Sequence, residues 1–137
     1  MKIIQDFNIS VPTNFSNSLN RPIPSSPSSI TLAAFGLAVN EPNSDVLLIS
    51  TVGVQSFLGT PEISLNVFRN SQIISTVRVS TLAVNEVRNI TFQVLDDNPP
   101  TGYHSYRLTA EVINPLLNQA AAIGPISFSG TSFSPAD

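Results

Sequence analysis

The sequence predicts an all-β protein, an antiparallel β-sandwich or jelly roll with an extended N-terminal arm. Eleven prolines and six glycines spread over 137 residues interrupt any long helix. Val, Ile, Thr and Phe are in good supply, and such side chains fit a pleated surface. Short runs of alternating polarity recur between turn residues, the pattern of half-buried strands. One domain is the natural size for this length, with room for a core.

From the N-terminus, Ile3, Phe7, Ile9 and Val11 share one strand parity, with Asn8 and Ser10 on the other. Residues 11–29 are rich in Ser, Asn and Pro, a composition that favours extended chain over collapse. Residues 1–29 are therefore read as an arm and linker, and 30–137 as the β-sandwich domain. Within that domain, Ile30 to Val39 and Val46 to Phe57 read as strands. Ile63 to Val67 and Ile73 to Val79 form a hairpin about Arg69-Asn70-Ser71, and Gly59-Thr60-Pro61 is a further turn. Ile90, Phe92 and Val94 face opposite to Asn89, Thr91 and Gln93. Tyr106, Leu108, Ala110 and Val112 likewise oppose Ser105, Arg107, Thr109 and Glu111. Asp96 to Gly102 is expected to join these two strands as a hairpin loop. Ala120-Ala121-Ala122, after Pro115-Leu116-Leu117, suggests a short helical turn, and Ile126 to Phe133 a last strand.

Charged residues are 11% of the chain, whereas Ser and Thr number 29 and Asn 13, so hydroxyls and amides wet the surface. A net charge of -3, with six scattered Lys and Arg, provides no cationic stripe and argues against nucleic-acid binding. Without cysteine, disulfides and thiolate chemistry are excluded. No apolar run approaches the roughly 18 residues of a membrane-spanning helix, and the N-terminus lacks a signal peptide's apolar stretch. We expect no membrane partner and no export by the general secretory route.

No catalytic constellation emerges, and no cofactor-binding motif. His104 is the single histidine and no G-x-S-x-G elbow is present, so it is expected to be a strand-end side chain with satisfied hydrogen bonds. Asp96, Asp97 and Asn98 could offer oxygens to Ca²⁺, but neighbours on a strand diverge and no further carboxylate follows, so no metal site is expected. No phosphate-cradling glycine loop occurs. The arm is the candidate functional element. Its linker could reach about 60 Å at roughly 3.3 Å per residue. Strand addition to a neighbour would place Ile3, Phe7, Ile9 and Val11 in a subunit interface and build a head-to-tail homopolymer.

Thr51–Phe57, Val67–Ile74, Asp97–His104 and Ile123–Gly130 together resemble the exosporium protein C family of endospore-forming bacteria, over Ile30 to Phe133. The resemblance implies a structural protein of the outer spore surface, made in the mother cell without a signal peptide and contacting other spore-surface proteins. Pilus-like endospore appendages are similar in plan, with a jelly-roll subunit and an N-terminal connector inserted into its neighbour. Their connector cysteines are missing here. The alternative is a trimeric jelly-roll module that binds carbohydrate or a receptor, or a virion decoration protein, with Tyr103 and Tyr106 as exposed aromatic candidates.

Overall fold

The computed structural model describes residues 2–80, 83–114 and 116–135. Met1, at the tip of the expected arm, and Pro115, in the expected helical turn, lie outside them. Nine strands are described: β1 (Ile4–Thr13), β2 (Arg21–Pro22), β3 (Ile30–Val39), β4 (Asp45–Leu58), β5 (Glu62–Arg69), β6 (Gln72–Ser80), β7 (Val87–Asp97), β8 (Gly102–Val112) and β9 (Gln119–Phe133). They form two antiparallel sheets. The first, sheet A, runs β1-β9-β4-β7, with β2 also on β9; the second, sheet B, runs β3-β8-β5-β6.

The connectivity follows from nested pairing. β5 pairs with β6, β4 with β7, β3 with β8 and β1 with β9, so the chain is one long antiparallel ribbon whose ends meet and whose length is rolled into a sandwich. That is the jelly-roll arrangement the sequence predicts. The tip of the ribbon is the turn at Asn70, whose left-handed φ of 55° suits asparagine.

Alternation sorts side chains between the layers. Leu37, Leu48, Ile63, Leu65, Leu108, Ile126 and Phe128 all lie between the sheets, fully buried. Phe35 joins the layers, its ring 4.9 Å from Phe128 and 5.9 Å from Tyr106. The register of β4 on β9 shifts between Val52 and Val54, where Gly53 lies against the Gly124 carbonyl. A Cβ at Gly53 would collide with that oxygen, and Gly124 itself has φ +88°. This bulge divides β9, so β2 pairs with its first part and β1 with its second.

Four sequence expectations require correction. The arm is the first strand of the roll, paired with β9 of its own chain from Ile4↔Phe133 to Thr13↔Ile126. The expected free linker is tied down. Ser18 and Leu19 amides donate to the Ile123 carbonyl, Ile23 donates to Ala120, and Val112 exchanges bonds with Pro24 and Ser26. Residues 1–29 are thus continuous with the domain. Their composition forbids independent collapse but not docking onto the ends of preformed strands, where Ile23 is buried.

The loop after Asp97 is not a hairpin, because β7 pairs with β4 in sheet A and β8 with β3 and β5 in sheet B. Alternation shows that two strands exist but not which sheet each joins. Finally, Ala120-Ala121-Ala122 is strand. Its small side chains are buried where β9 is flanked by β2 and by Val54 and Gln55 of β4.

Candidate assembly surface

β1 is amphipathic in the opposite sense to an ordinary outer strand. Its polar side chains turn toward β3 and its apolar ones toward solvent. Asp6 Oδ2 accepts from the Ala38 amide at 2.8 Å, Gln5 Oε1 from the Asn40 amide at 2.7 Å, and Asn8 Nδ2 donates to the Gly36 carbonyl at 2.9 Å. Ser132 Oγ on β9 donates to the Ala38 carbonyl at 2.7 Å. These groups lie along the edge of β3 that β8 does not cover. A strand edge otherwise open to pairing is therefore capped by side chains, and this flank of the sandwich is sealed.

With the polar parity used for capping, Phe7, Ile9 and Val11 must point outward. They remain 57%, 48% and 40% exposed, and Ile3, just before the strand, 62%. The register carries this row across sheet A. Phe7 lies beside Thr131, then Leu47, then Leu95; Ile9 lies beside Ser129, then Ile49, then Gln93. Ile49 and Leu95 are exposed as well. Between these apolar side chains stand hydroxyls and an amide, including a Thr51–Thr91 hydroxyl bond of 3.0 Å. Cations do not interrupt these rows. The outer face of sheet A therefore sets exposed apolar side chains among hydroxyls and an amide along both rows.

Charge gathers at one end of that face. Asp45 and Asp97 lie directly opposite each other on β4 and β7. Desolvation pushes the Asp45 carboxyl up, but the Asn98 amide, Asp97 and Lys2 together outweigh it and hold Asp45 below the usual carboxylate range. Asp97 is pushed up, first by its hydrogen bond with Asp45 and then by the charge of Asp45. Of the two facing carboxyls, Asp97 is thus the one that holds its proton more tightly.

Asp96 points the other way, into the sandwich. It accepts from Tyr106 OH at 2.7 Å and pairs with the Arg69 guanidinium, joining sheet A to sheet B. Burial, followed by Asp96, pushes the Tyr106 phenol well above its ordinary range. Asp96 and Asp97 therefore do not converge on one point, and among the described residues no group of three His, Cys, Asp or Glu could hold a metal ion. His104 is buried, its Nε2 donating to the Pro100 carbonyl at 2.6 Å and its Nδ1 accepting from Asn70 Nδ2 at 3.1 Å. Both ring nitrogens are engaged away from Asp97. Tyr106 belongs to the core, correcting its expected exposure, whereas Tyr103 is 73% exposed. A groove of about 450 Å³ lies between the connector and the start of β9, lined by Asn20, Pro22, Phe57 and Gln119 among others, with no charged side chain among the described residues that line it.

No family model and no curated protein matches the sequence. Solved structures are similar in fold. The T13 viral particle of infectious bursal disease virus aligns with TM-score 0.59 and 11% identity, over 91% of this chain and 30% of that one. The Gx strain of the same virus aligns with TM-score 0.53 and 9% identity, over 98% and 32%. Dimeric latent PorU of Porphyromonas gingivalis aligns with TM-score 0.50 and 15% identity, over 96% and 13%. The chain thus spans less than a third of these proteins, and the likeness is one of fold.

Sequence reasoning groups Ile3, Phe7, Ile9 and Val11 on one face; Phe7, Ile9 and Val11 share it within β1, whereas Ile3 precedes the strand and the register shift between Ile4 and Asp6. It misses Leu47, Ile49 and Leu95, which continue that face. Their signal is legible in retrospect: β4 is apolar at both parities near Leu47-Leu48-Ile49, and Leu95 breaks the polar series Asn89, Thr91, Gln93.

Proposed function

We propose that this chain is a non-enzymatic structural subunit that associates with copies of itself through the outer face of sheet A. The observation that carries the reading is the continuation of exposed Phe7, Ile9 and Val11 on β1 into Ile49 and Leu95 on β4 and β7. Leaving such a surface in water forfeits about 25 cal/mol per Å² of apolar area, and a second weakly charged face recovers it. In this reading the contact is face to face, with β1 kept at home. The resemblance to exosporium protein C supplies the setting, a layer or fibre of the spore surface alongside other spore-surface proteins. The fold shared with components of viral particles favours a second reading, a virion shell or decoration subunit, which electron microscopy separates by closed shells rather than layers or fibres.

Sedimentation of the purified chain at about 100 µM should show species heavier than the monomer. Phe7→Asp, at an exposed site, should return them toward smaller species with an unchanged circular dichroism spectrum. Assemblies indifferent to Phe7→Asp, or a strictly monomeric wild type, would remove the reading.

A further inference from the structure

The two flanks of the sandwich are not equivalent. One is sealed by Gln5, Asp6, Asn8 and Ser132 along β3, whereas the other ends in β6 and β7, which among the described residues pair only with β5 and β4. β6 carries a bulge near Ile74, which spoils a straight edge. β7 keeps its charges, Arg88, Asp96 and Asp97, to its two ends and has no protection along its middle. It runs eleven residues without Pro, Lys or a register shift, and its half-buried Ile90 and Phe92 reach the open rim of the core.

We propose that β7 pairs antiparallel with β7 of a second copy across a two-fold axis at Phe92, joining two copies of sheet A into one continuous sheet. The inference rests on the reading of the chain as a self-associating subunit but uses a different surface. Its register follows from length and charge together. Centring on Phe92 pairs all eleven residues, from Val87 opposite Asp97 to Asp97 opposite Val87. The same register brings Ile90 against Val94 and Phe92 against itself, and sets the exposed Asp97 of each copy beside Val87 of the other, at opposite ends of the seam. Parallel pairing in register would instead set like charges side by side. On the solvent face, Thr91 falls opposite Gln93 in both halves. The outer faces of the two copies then become one surface, with polar Thr91 and Gln93 at the join.

The test uses the full chain carrying Phe7→Asp, so that face-to-face association is suppressed and the two readings fail separately. In that background sedimentation equilibrium should give twice the mass of one chain. Adding Thr91→Lys and Gln93→Lys places lysines opposite lysines at both pairs and should raise the dimer dissociation constant at least ~10-fold. Thr91→Lys with Gln93→Glu places opposite charges at the same positions and should restore the dimer. Both sites are exposed, and circular dichroism verifies that each variant is folded. A monomer at 100 µM in the Phe7→Asp background, or equal dissociation constants for the two charge variants, overturns the proposal whatever becomes of the face.

Discussion

Asp97 shows how a single side chain can be placed against its own interest. It stands opposite Asp45 on a sheet face, where like charges repel, and its proton is bound more tightly in the folded chain than in the unfolded one. A carboxyl with a raised folded pKa loses stability as pH rises through the carboxylate range, because its ion must form beside Asp45. Asp45, held low, has the opposite sign: its contribution is present above that range and is lost as pH falls through its folded value. Asp97→Asn keeps a donor for Asp45 and removes the second charge. Thermal melts should therefore place the variant above wild type at pH 7, with the gap closing by pH 3; coincident melts at pH 7 would refute the pairing. The sequence shows these acids only as Asp96-Asp97. Alternation correctly separates their directions, but the partners Asp45, Arg69 and Tyr106 lie 27 or more residues away or across a sheet change that local pattern does not encode.

At the level of single strands, the period-two reading survives well where one parity is plainly apolar, as in β7 and β8. β1 shows where it stops. Its parity is legible, but parity says only which residues share a face, and the usual inference that the apolar face turns inward is reversed here. The reversal has a local cause, the backbone groups of β3 at Gly36, Ala38 and Asn40 that need partners once β8 has taken the other edge. Nothing in residues 1–13 announces that need. Asp6 carries the clearest share, accepting from both the Phe7 and Ala38 amides. Asp6→Ala should cost about 1–2 kcal/mol in chemical denaturation, the range for a lost hydrogen bond with a stranded amide. It should also speed hydrogen exchange at Ala38 relative to wild type. Unchanged exchange at Ala38 would mean the cap is not what protects that edge.

For the molecule as a whole, the nested ribbon decides whether β1 is an appendage or a member of the fold. In a rolled ribbon the first and last strands close on each other, so deleting residues 1–13 uncovers the Ile126–Phe133 edge of β9 and the edge of β3 together. The strand is nevertheless held weakly on its own account. Ordering ten residues costs roughly 10–20 kcal/mol, and Phe7, Ile9 and Val11 recover little apolar burial. What retains it is the connector, fastened at Ser18, Leu19 and Ile23, which keeps the strand at an effective concentration on the order of millimolar. Two consequences separate a home strand from a donated one. A chain starting at Asn14 should melt well below the full chain, and a free peptide of residues 2–13 at about 10 µM should leave that melting temperature unchanged, because the untethered strand must meet its ordering cost at a hundredfold lower concentration. Recovery of the full melting temperature at 10 µM peptide would show that β1 binds tightly enough to pass between subunits, and assembly by strand donation would then displace assembly by faces.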